Sequence, residues 1–184
     1  MPLAKAPEYL PEFDIPTPEA SHPKEVYAFF GLAGYWAQVL EREVINFTVA
    51  VHMAQESRLT SEIVETLWGS FEVRTFGAVL RAARRITSIP NEIDALLSTA
   101  LAKRNYLTHS FFWDRARWFL TDSGRLRMIA DLQDHMKAFK EANDRLEPLT
   151  LQLLAQFGVS AEILEQHRAE MLAAALAEDS QGGD

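Results

Sequence analysis

One apolar stretch of the chain, AKRNYLTHSFFW at residues 102–113, carries an arginine, an asparagine and a histidine. Arg104 and His109 stand five positions apart, and Asn105 follows the arginine directly. Histidine is the side chain type that ordinarily changes charge near neutral pH, so it can accept or donate a proton in a reaction. Arginine stays charged and forks onto two phosphate oxygens. Asparagine can orient either group. These are the parts needed to cut an RNA phosphodiester without a metal. A base takes the 2′-hydroxyl proton, an acid protonates the departing 5′-oxygen, and a cation holds the charge on the phosphoryl oxygens. The products are a 2′,3′-cyclic phosphate and a 5′-hydroxyl. The competing reading is a plain helix surface, with Arg104 in an ion pair, Asn105 as a cap and His109 at an interface.

The spacing restricts how such a pair works. Five helical positions subtend about 500°, which leaves the two side chains roughly 140° apart. They act together only if the helix starts, bends or ends there, or if a two-fold dimer sets two copies of the motif in one cleft. In a dimer, two histidines supply both proton-transfer roles. Lys103, Arg115 and Arg117 are the nearby candidates for contacts to the RNA backbone.

Other chemistry has weaker footing. The sequence holds no G-K-[ST] phosphate loop, no G-x-S-x-G, no H-E-x-x-H and no cysteine. His52 with Glu56, and Asp131 with His135, are pairs one turn apart that would form a four-ligand metal set only by meeting across a bundle. They read instead as solvated pairs, and neither metal nor cofactor is expected. His22 and His167 read as surface histidines.

Charge points to a local anion site. The net charge is −8, which argues against a protein that coats nucleic acid. Residues 81–127 nevertheless hold nine basic side chains against four acidic ones, a basic middle in an acidic chain. The longest early stretch without formal charge, residues 26–40, is shorter than the roughly 18 apolar residues of a membrane span. With no signal-peptide pattern, a cytoplasmic protein without a membrane partner is expected.

The elements that must position these groups are helical. Residues 1–23 carry six of the eight prolines and read as an extended arm. Val26, Phe29, Ala33, Trp36, Leu40, Val44, Phe47 and Val51 step by three or four and predict a long amphipathic helix. Gly31 and Gly34 either weaken it or permit close helix contact. SEIVETLW predicts a short helix capped by Ser61, with Gly69 at its end or at a bend. Another is predicted over 76–86, with Arg81, Arg84 and Arg85 outward. A break at Pro90 and Asn91 precedes the helix that runs into the motif. Asp122 and Ser123 are expected to cap a helix whose stripe is Leu126, Ile129, Leu132, Met136, Phe139, Ala142 and Leu146. Pro148 is expected to end it or open the next, Gly158 to close the piece after, and residues 160–177 to form a last helix before a loose tail at 179–184. No alternating strand pattern appears. The fold class is all-α: an up-and-down helical bundle of four main helices with short extras, as a single domain over 24–178.

The stretch R-N-Y-L-T-H-S-F also resembles the signature of HEPN-domain proteins. Their pattern is an arginine, usually followed by Asn, Asp or His, then a histidine after four to six intervening residues. The resemblance implies a helical bundle and a homodimeric, metal-independent endoribonuclease, often a toxin or defence protein held by an antitoxin or other regulatory protein. It places Arg104 and His109 on the catalytic pair and Asn105 on the polar position. One departure stands out. Related toxins controlled by nucleotide transfer carry a tyrosine two residues after the histidine, where this chain has Phe111, so control at that position is not expected. The alternative within the same fold is a non-catalytic module that binds a partner protein or a nucleotide. The aromatic cluster Phe111, Phe112, Trp113, Trp118 and Phe119 reads as core or dimer seam ahead of a platform for stacking bases.

Overall fold

The computed structural model describes residues 15–56 and 60–181. Among them are eight helices and no strand: α1 (Pro23–Gln55), α2 (Ser61–Glu72), α3 (Phe76–Ile86), α4 (Asn91–His109), α5 (Phe111–Asp114), α6 (Ala116–Phe119), α7 (Asp122–Ala155) and α8 (Ala161–Gln181). The expected all-α bundle is the observed architecture.

Two long rods make its spine. At 33 and 34 residues, α1 and α7 are each about 50 Å long. Their seam is the most extensive in the molecule. They run in the same direction: Trp36 lies under the Lys140 ammonium, and further along Glu43 accepts a 2.5 Å hydrogen bond from Thr150. Helix α4 runs against both, since Lys103 pairs with Asp134 at one end and Arg145 with Glu92 at the other. Helix α3 folds back on α4, with Arg84 paired to Asp94. Along α3, α4 and α7 the chain therefore alternates direction, as an up-and-down bundle does.

The α1 stripe is buried as its periodicity predicts, apart from Trp36, which is half-buried. From Glu43 to Val51 the burial goes all round the helix, because α2, α3, α4 and α7 all pack on α1. In α7 the stripe holds from Ile129 to Leu146, but Leu126 is exposed and Met128 and His135 turn inward instead.

Several local expectations are corrected. Helix α7 passes through Pro148 without ending, because Leu146, Thr150 and Leu154 on both sides of it are buried against the bundle. That packing outweighs the missing N–H. Thr60, not Ser61, caps α2, its hydroxyl accepting from the Ile63 N–H at 3.3 Å. Thr121, not Asp122 or Ser123, caps α7 through the Gly124 N–H at 3.1 Å. Helix α2 continues through Gly69. Gly31 and Gly34 face open space, so neither serves a close contact. Gly124 does: a Cβ there would stand 2.1 Å from the Trp118 carbonyl oxygen, so glycine alone lets α6 lie on α7. Gly158, at φ 75°, ends the helical run as expected.

Residues 15–22 of the arm are extended and lie on their own α7. Gln133 donates to the Pro16 carbonyl at 2.8 Å, and Arg125 donates to the Ser21 carbonyl. Residues 1–14 of the arm and 182–184 of the tail lie outside the described residues; α8 extends into the expected tail as far as Gln181. His22 is no idle surface histidine: its Nδ1 accepts from the Lys24 N–H at 3.1 Å and caps α1. The side chain of His167 lies outside the described residues.

Candidate functional site

Helix α4 stays regular to its end at His109, where Ser110 leaves helical geometry (φ −132°, ψ −21°) and redirects the chain into α5. The motif therefore occupies the final turn and a half, and its residues divide among three directions. Leu107 is buried, and Tyr106 turns toward α7. Arg104 turns toward α1. Asn105 and His109, four apart and so on one face, are exposed to solvent. As the spacing requires, Arg104 and His109 do not share a face.

Asn105 touches the arginine. Its Oδ1 accepts a long hydrogen bond from Arg104 Nη1 at 3.5 Å while its side chain stands one turn below His109. The guanidinium is held from the other side by Glu41 of α1, whose Oε2 lies 3.4 Å from Arg104 Nη2. Both partners of that ion pair are largely shielded from water, so the arginine is held in place rather than free. Glu41 was not foreseen from sequence. It sits in an E-R-E run that breaks an apolar helix, and the only signal was a charge between buried Leu40 and Val44.

His109 is exposed, and no hydrogen bond among the described residues engages its ring. It stands in the last turn of α4. Thr108 returns its hydroxyl to the Arg104 carbonyl at 3.0 Å, a local bond of the helix end.

The candidate phosphate contacts are unequal. Lys103 is paired with Asp134 at 2.9 Å, and the ammonium beside it holds the Asp134 carboxyl below its ordinary pKa. Arg115 is paired with Asp131 at 2.9 Å and lies over the rings of Trp118 and Tyr106. Arg117 is exposed and makes no ion pair among the described residues. Of the nine basic residues in 81–127, five are paired with carboxylates: Arg84, Lys103, Arg104, Arg115 and Arg125. Three of those carboxylates, Glu41, Asp131 and Asp134, lie outside the segment. The basic middle seen in sequence is therefore largely neutralised by acids that the fold brings to it.

Behind the motif is a second, buried polar cluster. His135 packs its ring 5.9 Å from that of Tyr106, and its Nδ1 lies 2.6 Å from the Asp131 carbonyl oxygen. Burial pushes the His135 pKa down, and the Lys103 charge adds to that, while the Asp131 carbonyl pulls the other way. Burial likewise pushes the Tyr106 phenol up. His52 is elsewhere, against Phe71 of α2 at 5.6 Å, so the two histidine–carboxylate pairs do not converge. No group of three or more His, Cys, Asp or Glu able to hold a metal occurs among the described residues. None of the described helices is long and apolar enough to cross a membrane.

Comparison with protein-family models, with curated proteins and with solved structures finds no match to this chain.

Proposed function

We propose that this chain is a metal-independent endoribonuclease of HEPN type that works as a homodimer. One observation carries the proposal: an exposed imidazole in the last turn of α4, on the same face as Asn105, which itself accepts from an arginine that Glu41 holds in place. His109 is the general acid–base, Arg104 binds the scissile phosphate, and Asn105 positions the two. One exposed histidine performs one proton transfer at a time, whereas cleavage needs two. A second copy supplies the other. One imidazole takes the 2′-hydroxyl proton as the 2′-oxygen attacks phosphorus, and the other protonates the 5′-oxygen as its bond to phosphorus breaks. Arg104 offers the non-bridging oxygens the N–H groups that Glu41 and Asn105 leave unengaged, as charge builds there. Arg117 is the contact to flanking phosphate that needs no partner exchanged. Lys103 and Arg115 reach RNA only by giving up Asp134 and Asp131. That keeps affinity modest, in line with the acidic total charge. A toxin or defence role with a cytoplasmic antitoxin or regulatory partner extends this reading.

The test is direct. Purified protein incubated with RNA in EDTA is expected to yield 2′,3′-cyclic phosphate and 5′-hydroxyl ends, and His109→Ala to abolish them. Equal cleavage by His109→Ala and the parent removes His109 from the chemistry. Crosslinks that place the two copies of His109 on opposite outer faces of the dimer remove the composite site.

A further inference from the structure

The aromatic cluster after the motif does not behave as one unit. Phe111 is core, and Phe112, Trp118 and Phe119 are half-buried. Trp113 is 86 % exposed, one of the most exposed large apolar side chains among the described residues. An indole left in water is unspent contact area, and Trp is normally buried over most of its surface. Its location is informative. Trp113 follows His109 by four residues, so the two Cα atoms are within about 14 Å even for a fully extended chain. The bend at Ser110 makes them closer.

The charge around it selects the occupant. Arg117 and Arg127 are exposed and take part in no ion pair among the described residues; Arg127 lies 5.9 Å over the Trp118 ring. Arg115, on the same segment, is paired with Asp131 and lies over the Trp118 ring. Arginines without a carboxylate partner among the described residues, on and beside a turn that carries one open indole, match a single-stranded nucleic acid, whose bases stack and whose phosphates carry the opposite charge. A second copy fits worse. A second copy sealed over this turn would bury Arg117 and Arg127, which have no carboxylate partner among the described residues.

We propose that Trp113 stacks a base of the RNA beside the cleaved linkage, with Arg117 on the adjoining phosphate. This subsite rests on the ribonuclease reading for its place beside the scissile bond, but its binding is measured without cleavage. The probe is a short single-stranded RNA with 2′-O-methyl groups throughout, which has no nucleophile and cannot be cut. Titration of the full-length protein, followed by tryptophan fluorescence and by anisotropy of the labelled RNA, is expected to give a Kd about tenfold weaker for Trp113→Ala. Trp113→Phe keeps a stacking face and is expected to restore most of the affinity. Exposure of the side chain means that Tm should not move in either variant. A Trp113→Ala protein that binds the probe as tightly as the parent overturns the subsite. So does a Trp113→Ala protein that binds normally but sediments as a smaller species, since the face then belongs to a second copy. A parent that binds the probe through Trp113 yet leaves natural RNA intact sinks the ribonuclease reading and upholds the subsite. Cleavage with Trp113-independent binding does the reverse.

Discussion

His109 and His135 are about seven helical turns apart in sequence, yet both lie at the end of α4, one on its outer face and one on α7 beneath it. The outer ring is open to solvent, unengaged among the described residues, and in the last turn of a helix. The inner ring is 7 % exposed, with Nδ1 on the Asp131 carbonyl and Nε2 without a hydrogen-bond partner among the described residues. Burial disfavours its charged form. The same side chain thus has two uses here. A histidine that exchanges protons with a large substrate must be reachable and able to bear charge. A histidine that fills space between α4 and α7 must stay neutral. Residue type alone does not distinguish them; surroundings do.

The strongest way to break the comparison is to remove each ring in turn. His109→Ala is expected to lower the rate of metal-free RNA cleavage by at least about 100-fold, the usual worth of a general acid–base, and to leave Tm unchanged. His135→Ala is expected to do the opposite. It leaves a cavity between Tyr106 and Phe139 and costs about 2 kcal/mol in stability, read from the urea midpoint, with activity retained in the folded fraction. If His135→Ala abolished cleavage while the protein stayed folded, the roles assigned to the two rings would have to be exchanged.

The two rings also show what was legible in the sequence. The helices were, because apolar residues at a 3.6-residue period must be buried together, and Val26 through Val51 and Ile129 through Leu146 do so. Pro148 misled because its local cost is a backbone effect, whereas continuation of α7 is decided by Leu146, Thr150 and Leu154 packing on the bundle. Asp131 with His135 read as a solvated pair because the helix supplies only their spacing. The burial of His135 depends on α4 lying across that turn. The charge surplus of 81–127 was correct arithmetic over the wrong neighbours, since Glu41, Asp131 and Asp134 reach the segment only through the fold. Arg104, Asn105 and His109 could be singled out, and the 140° between the end members was computable. That Glu41 would hold the arginine depends on α1 lying against this end of α4.

A subtler test acts on the link between α1 and the outer face. Glu41→Gln keeps the size of the side chain and removes its charge, so Arg104 loses its anchor without a cavity forming. The expected result is a loss of about 1.4 kcal/mol of transition-state stabilisation, roughly tenfold in kcat, with Tm within a degree or two and partial recovery in Glu41→Asp. An equal loss of stability and activity would make Glu41 a packing residue only.

The smallest expected effect sharpens the inner half of the comparison, through pH. In the folded chain burial sets the His135 pKa below its ordinary value of 6.5, while in the unfolded chain the ring is free to titrate near that value. Between the two, the unfolded chain binds a proton that the folded chain refuses, and mass action favours unfolding. The stability is therefore fully present above pH 6.5 and lost as pH falls toward the folded pKa. Over the unit from 6.5 to 5.5 the loss from this one ring is no more than about 1 kcal/mol. Other groups titrate in the same range, and Lys103, Asp131 and Asp134 face the ring, so the parent alone is not diagnostic. The comparison is parent against His135→Phe, which fills the space with a ring that cannot ionise. Urea midpoints measured at pH 7.5 and 5.5 should drop further for the parent than for the variant. Equal drops would mean that His135 accepts its proton without cost, and that the chemical distinction between the inner and outer rings is far smaller than their burial implies.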